Sequence, residues 1–240
     1  MQYLQLLWAD GRPSREDIEA MNRDFPAYEE EMKPRGVRLL GRELDLPSTA
    51  VTVRVRDGQT LATDGPFAET KEFIAGFGLL ECSDFDELIE VTEKNPISRF
   101  HPMELRSVVD EVSISETVSA FGRGEDGGVR AFLLATWAAS APDQVDVEAV
   151  TQEVEAWRRN LEAKGLYVLG TALGDADTAT TLRVRDGETR LSSGSFSTTE
   201  EFITDVRVIN CEDREAAIGV AGDHPLARYQ AIEVRPFYRE

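Results

Sequence analysis

The chain has 240 residues, 41% of them hydrophobic, which is enough for one large core or two ordinary ones. Its 45 acidic and 26 basic residues give a formal net charge of −19, a field that repels nucleic-acid phosphates and anionic lipid. No apolar run is long enough to cross a bilayer, and no basic segment leads into an apolar one after Met1. These features predict a cytoplasmic protein with no nucleic-acid or membrane partner.

The first half of the chain shows the signals of an α+β domain. Ser14 is the predicted N-cap of a first helix, and Gly36 is the glycine that ends it. The pair Asp57-Gly58 predicts a hairpin turn, Ser83 predicts the cap of a second helix, and Asn95-Pro96 predicts its end. In chain order we expect a strand at 3–8, a helix from 14 toward 36, strands at 37–44, 50–56 and 73–82, a helix at 84–94 and a strand at 103–109.

The second half repeats the first when the chain is shifted by 129 residues, with no gap and about a third of the aligned positions identical. Trp8 then meets Trp137, and Cys82 meets Cys211, so two lone cysteines at one repeated position are expected to fill a core niche rather than form a disulfide. The repeat predicts domains at 1–111 and 130–240. The glycine-rich, charged stretch at 112–129 is expected to be a linker between them.

The order strand, helix, strands, helix, strand is the ferredoxin-like plan, an antiparallel sheet with both helices on one face. The other sheet face is apolar as well and must be covered. We therefore expect tandem ferredoxin-like domains packed as an internal pseudo-dimer, either as a monomer or as a homodimer.

The segment Asp64-Gly65-Pro66-Phe67, followed by Ala68-Glu69-Thr70-Lys71-Glu72, resembles the YCII-related family, in particular the branch named for its Asp-Gly-Pro-Phe signature. The end of the second repeat, Glu233-Val234-Arg235-Pro236, adds to this resemblance. It implies a dimeric α+β barrel. Members are mostly described as enzymes whose chemistry is not settled, and some occur beside extracytoplasmic-function sigma factors, which implies a regulatory link.

The two repeats divide the family pattern between them. The second has Ser193-Gly194-Ser195-Phe196 in place of the motif, so we interpret the second repeat as a degenerate copy of the domain. The family often carries a histidine before the proline that ends the second helix, and here only the second repeat has it, as His224-Pro225. A site in either repeat is therefore incomplete by the family pattern, and the sequence leaves open whether the site is shared.

Asp64 is the first candidate for chemistry, because its carboxylate can act as an acid, a base or a ligand contact. A structural role in the turn is an equal alternative for Asp64, and it is the favoured role of Gly65, Pro66 and Phe67. We place Gly65, Pro66, Phe67 and Glu69 among the candidate substrate-binding residues.

His101 and His224 are the chain's only histidines and hence its only side chains that ordinarily titrate near neutral pH. His101 is the second catalytic candidate, and His224 is a candidate substrate contact, although a capping or surface role is the more common one for each. Glu104 and Arg106 alternate along the last strand and are candidate contacts if they face inward. The spacing of His, Cys and acidic residues suggests neither a metal site nor a cofactor.

Two functions fit these residues. One is a small cofactor-independent enzyme that uses acid–base chemistry on a small organic molecule. The alternative is a non-catalytic small-molecule-binding or regulatory module, with a link to a sigma factor implied by the resemblance.

Overall fold

A computed structural model of the chain describes residues 1–9, 14–67, 72–110, 112, 130–138, 146–197 and 201–238. The helices and strands of the first repeat are β1 (Gln2–Ala9), α1 (Arg15–Met32), β2 (Arg38–Glu43), β3 (Val51–Arg56), β4 (Gln59–Asp64), β5 (Phe73–Glu81), α2 (Phe85–Lys94) and β6 (Met103–Ser107). Those of the second repeat are β7 (Arg130–Ala138), α3 (Val147–Ala163), β8 (Tyr167–Ala172), β9 (Thr180–Arg185), β10 (Glu188–Ser193), β11 (Phe202–Cys211), α4 (Arg214–Gly222) and β12 (Ala231–Pro236).

Local sequence signals account for most of these boundaries. Ser14 and Asp17 form the predicted reciprocal capping box at the start of α1. Gly36 has a φ of 65°, as expected of a glycine that ends a helical segment. Asp57 and Gly58 have φ values of 51° and 74°, which confirms the predicted hairpin turn between β3 and β4.

The predicted cap of α2 was wrong by one residue. Asp84 is the N-cap, and its side chain accepts a hydrogen bond from the backbone N–H of Glu87. Ser83 donates instead to the Glu87 carboxylate through both its backbone N–H and its hydroxyl, at 2.7 and 2.8 Å. A carboxylate at the cap interacts more strongly with the helix N-terminus than a neutral hydroxyl, which explains why the aspartate takes this position.

The chain is built as two compact units, each with a six-stranded antiparallel sheet. Unit 1 comprises Met1–Glu43, Thr70–Glu111 and Leu173–Thr198. Unit 2 comprises Leu44–Glu69, Val112–Ala172 and Thr199–Glu240. The α+β class is therefore confirmed, but each unit contains segments of both sequence repeats.

Four strands of each sheet come from one repeat and follow the ferredoxin-like order. In unit 1 they run β6-β1-β5-β2, and in unit 2 they run β12-β7-β11-β8. The remaining two strands are a hairpin supplied by the other repeat. The β9–β10 hairpin joins the unit 1 sheet beside β6, and the β3–β4 hairpin joins the unit 2 sheet beside β12.

The exchanged hairpins contribute to the core of the unit that receives them. In unit 1, Leu182 of β9 is fully buried in one cluster with Met103 and Leu105 of β6 and with Leu88 and other residues of α2. In unit 2, Val51 and Val53 of β3 lie in the corresponding cluster, beneath α3 and α4. A change in either hairpin therefore acts on a core that the other repeat completes.

The cysteines occupy the core positions predicted for them. Cys82 and Cys211 are free thiols, each 2% exposed. Burial raises the pKa of each thiol to about 11, so both stay protonated at neutral pH and lack the thiolate that reactive cysteines need.

If β9 completes unit 1, Leu182→Ala should lower the free energy of unfolding by about 2 to 5 kcal/mol, because it leaves a cavity at a fully buried site. Leu191→Ala, on the neighbouring strand β10 where Leu191 is 52% exposed, is the matched control. Denaturant unfolding measures both. Equal, small effects in the two variants would show that β9 does not belong to this core.

Candidate functional site

The loop at 64–67, which carries the Asp-Gly-Pro-Phe motif, begins at the last residue of β4 in unit 2. Gly65 has a φ of 106°, in the region that favours glycine, so the turn requires this residue. The backbone N–H of Gly65 donates to the carbonyl of Ala50 at 2.9 Å, and the Thr52 hydroxyl donates to the Gly65 carbonyl at 3.2 Å. Both the N–H and the carbonyl of Gly65 are thus hydrogen-bonded to residues at the start of the β3–β4 hairpin.

Phe67 connects this loop to the last strand of the second repeat. Its backbone N–H donates to Glu233 Oε2 at 3.1 Å. Its ring lies 5.5 Å from the ring of Trp137 on β7, and the Arg54 guanidinium carbon lies 5.1 Å from the Phe67 ring centre. A tilted aromatic pair with a cation over one ring is a favourable arrangement that fixes the side-chain position.

Glu233 and Arg235 form a buried ion pair on β12, with exposures of only 3% and 2%. Ile232 and Val234 face the helices in the unit 2 core, so alternation along the strand places this pair on the opposite face. Glu233 uses Oε1 for Arg235 and Oε2 for the N–H of Phe67. The pair therefore anchors the loop from beneath.

Asp64 points outward from this anchor. Its side chain is 85% exposed and forms an ion pair with Arg214, the first residue of α4. In unit 1, the corresponding positions are Ser193 and Phe85, so both partners are replaced together.

Unit 1 contains the counterpart of this site at the 193–196 loop. The backbone N–H of Phe196 donates to Glu104 Oε2 at 3.0 Å, and the Phe196 ring lies 5.5 Å from Trp8. Glu104 forms a buried ion pair with Arg106, at 3.0 Å and with each side chain 1% exposed. The alternation seen in the sequence therefore places both Glu–Arg pairs inside the protein.

The structure divides the predicted site residues between the units. Unit 2 contains Asp64, Gly65, Pro66, Phe67 and His224; unit 1 contains His101, Glu104 and Arg106; Glu69 lies outside the described residues. A cleft of about 380 Å³ in unit 1 has none of these candidates in its lining, which consists of Met1, Gln2, Tyr3, Glu81, Ser107 and Val108.

His101 is 8% exposed, and its backbone N–H donates to the carbonyl of Ile97 at 2.9 Å. It closes the turn that follows α2 in unit 1, immediately before β6.

His224 belongs to a second buried cluster, on the helix-facing side of unit 2. It is 1% exposed, its Nδ1 accepts the backbone N–H of Leu226 at 3.1 Å, and its ring lies 4.4 Å from Trp157. Burial lowers the pKa of His224 to about 4, while the nearby charges of Asp205 and Arg207 act in opposite directions. The imidazole is therefore neutral at physiological pH, and it serves as a helical cap.

Sequence analysis did not predict several residues of the loop site as contacts: Trp137, Arg54, Arg214, Glu233 and Arg235. The repeat itself carried the signal for three of them, because Trp137, Glu233 and Arg235 coincide with Trp8, Glu104 and Arg106 under the shift. The sequence did not reveal that a loop of one repeat meets the last strand of the other.

Within the described ranges, no group of three or more His, Cys, Asp or Glu side chains is placed to hold a metal ion. None of the helices in that part of the chain is both long and apolar enough to cross a membrane.

The lowered pKa of His224 predicts a specific acid sensitivity. The neutral form is favoured in the folded state, so this stabilisation is complete above the unfolded pKa of 6.5 and is lost as the pH falls toward 4. The loss is on the order of 3 kcal/mol. His224→Asn retains a cap, as Asn95 Oδ1 does at the matching position by accepting from Ile97 at 3.1 Å. We expect this variant to lose less stability than the wild type between pH 7 and pH 4.

Urea unfolding at several pH values measures this difference. His101→Gln is the control, since it removes the other histidine and introduces the residue found at the matching position, Gln230. An unchanged pH dependence in His224→Asn would show that His224 does not cause the acid sensitivity.

Comparison with known proteins agrees with the internal repeat. The model of the YCII-related domain matches the chain twice, at 1–112 and 132–239. An uncharacterised protein of Rhizobium meliloti is 32% identical over 107 residues, which cover 39% of this chain and 86% of the relative. A solved structure named "Putative Chlorite dismutase" shares 14% identity with a TM-score of 0.43, over 99% of this chain and 95% of that one, a similarity too low to assign a function.

Two matches to one domain, which together span most of the sequence, show that the chain belongs to the YCII-related family and carries its domain in duplicate.

Proposed function

We propose that this protein binds a small organic molecule at the 64–67 loop of unit 2, without acid–base catalysis by Asp64. The observation that supports this proposal is the hydrogen bond from the Phe67 backbone to the buried Glu233. It holds the loop in one position, so that binding would not have to order it.

The aromatic groups of the loop site suit an apolar ligand surface. Phe67 is half-buried, and its ring lies 5.5 Å from that of Trp137, which is 3% exposed. Binding sites combine an aromatic or apolar wall with a few placed polar groups. Phe67, Trp137 and Glu233 provide that combination within one unit.

Asp64 is poorly placed for acid–base chemistry. Catalytic carboxylates are ordinarily tuned by burial or by a nearby charge in a cleft. The Asp64 side chain is 85% exposed and is paired with an arginine that is itself 47% exposed. This environment favours the binding module over the enzyme.

Phe67→Leu should weaken binding by about three- to tenfold, because it removes the aromatic contact with Trp137 while keeping an apolar side chain. The three tryptophans give three indole signals in a ¹⁵N-tryptophan NMR spectrum, with Trp137 reporting on unit 2 and Trp8 on unit 1. Titration of the labelled protein with a library of small aromatic molecules identifies those that shift the Trp137 signal.

Phe196→Leu is the matched control, because Phe196 occupies the same position in unit 1. We expect it to leave the affinity measured at Trp137 unchanged. A library in which no molecule shifts the Trp137 signal, or equal losses in the two variants, would contradict the proposed site.

Asp64→Asn should change the free energy of unfolding by less than about 1 kcal/mol and leave binding intact, because an exposed ion pair contributes little. Arg214→Ala tests the same pair from the other side. Denaturant unfolding and the Trp137 titration measure both effects. If Asp64→Asn abolished binding while Arg214→Ala did not, Asp64 would itself contact the ligand, in favour of the acid–base enzyme.

A further inference from the structure

The two Glu–Arg pairs differ in how many hydrogen-bond donors surround the glutamate. Glu104 Oε2 in unit 1 accepts three hydrogen bonds, from the Ser195 hydroxyl at 2.8 Å, the Phe196 N–H at 3.0 Å and Trp8 Nε1 at 3.0 Å. Among the residues that the structure describes, Glu233 Oε2 in unit 2 accepts one, from the Phe67 N–H at 3.1 Å.

A single substitution between the repeats explains part of this difference. Ser195 donates its hydroxyl to Glu104, whereas the matching residue in unit 2 is Pro66, which has neither a side-chain donor nor a backbone N–H. Glu233 Oε2 therefore retains acceptor capacity that its counterpart has used. A buried carboxylate oxygen with spare acceptor capacity gains strongly from a further donor.

We propose that Glu233 Oε2 is the atom that receives the ligand, and that the ligand is a neutral molecule with a hydroxyl or amide N–H donor beside an apolar body. This inference rests on the proposed function and gives that site its ligand class. Ser195 is the residue that fills the equivalent position in unit 1, so the protein has one working site.

The charges around Glu233 select a neutral donor. Arg235 already pairs with the glutamate, and Arg54 lies over the Phe67 ring, so a cationic ligand would meet two guanidinium groups. A carboxylate ligand has no hydrogen-bond donor for Glu233 Oε2, and it would approach a chain of net charge −19. A hydroxyl or amide brings the donor without either repulsion, and its apolar body can lie against Phe67.

The test uses the full chain labelled with ¹⁵N-tryptophan and two probes of the same shape. Benzyl alcohol has a ring and a hydroxyl donor, while benzyl methyl ether has the ring but no donor. We expect benzyl alcohol to shift the Trp137 signal and to bind about tenfold more tightly than the ether, the effect of one hydrogen bond to a charged group.

Three variants separate the introduced hydroxyl from changes in the loop backbone. P66S places a donor where unit 1 has one and should weaken benzyl alcohol binding about tenfold. P66A removes the proline ring and restores a backbone N–H but adds no side-chain donor, and it should retain binding. S195A removes the donor from Glu104, and benzyl alcohol should then shift the Trp8 signal as well.

The proposal is overturned if benzyl alcohol leaves the Trp137 signal unchanged, if the ether binds equally well, if P66S binds as tightly as P66A, or if S195A leaves Trp8 unresponsive. Binding of benzoate at Trp137 that depends on Phe67 but not on P66S would overturn this inference and leave the proposed function standing. If no molecule of the library shifted Trp137, the proposed function would fall as well.

Discussion

The pairing of strand β12 with strand β3 is the contact on which both the unit 2 sheet and the loop site depend. Three residue pairs set its register: Ile232 with Val53, Glu233 with Thr52, and Val234 with Val51. Thr52 in turn donates to the Gly65 carbonyl. One register therefore buries two apolar pairs on the helix face and brings the loop to Glu233 on the other, and a slip by one residue would exchange the two faces.

Each unit repeats this construction with different side chains. In unit 1, Glu104 pairs with Thr181, whose hydroxyl donates to the Gly194 carbonyl. Because the loop and the strand beneath it come from different repeats, the loop of one repeat can diverge while its strand still supports the other loop. The second repeat has lost the Asp-Gly-Pro-Phe motif, but its Glu233 and Trp137 hold the intact loop of the first. The second repeat is therefore degenerate only in its 193–196 loop and not as a whole.

The elements could be predicted from sequence because their signals are local. The capping box at Ser14 and the hairpin turn at Asp57-Gly58 need only neighbouring residues. The exchange of hairpins could not be predicted. The alternation of Val51 and Val53 shows that β3 has one apolar face, but the strand could bury that face at the edge of either sheet. For a related reason, the sequence could not show whether Glu104 and Arg106 point inward. Alternation along a strand places side chains on two faces, but it does not indicate which face is buried.

The second repeat also contains a buried ion pair on its helix-facing side that the first repeat lacks. Arg207 lies in a buried ion pair with Asp205 and donates to the Tyr167 hydroxyl at 3.1 Å, where the first repeat has Gly78 and Gly76 in place of the pair. Gly170 leaves room for it, because a Cβ there would lie 2.2 Å from the Arg207 side chain. Such a pair adds little net stability over an apolar core, but loss of either partner would strand a buried charge. The packing on the helix-facing side of unit 2, the unit that contains the 64–67 loop, therefore depends on Asp205 and Arg207 together.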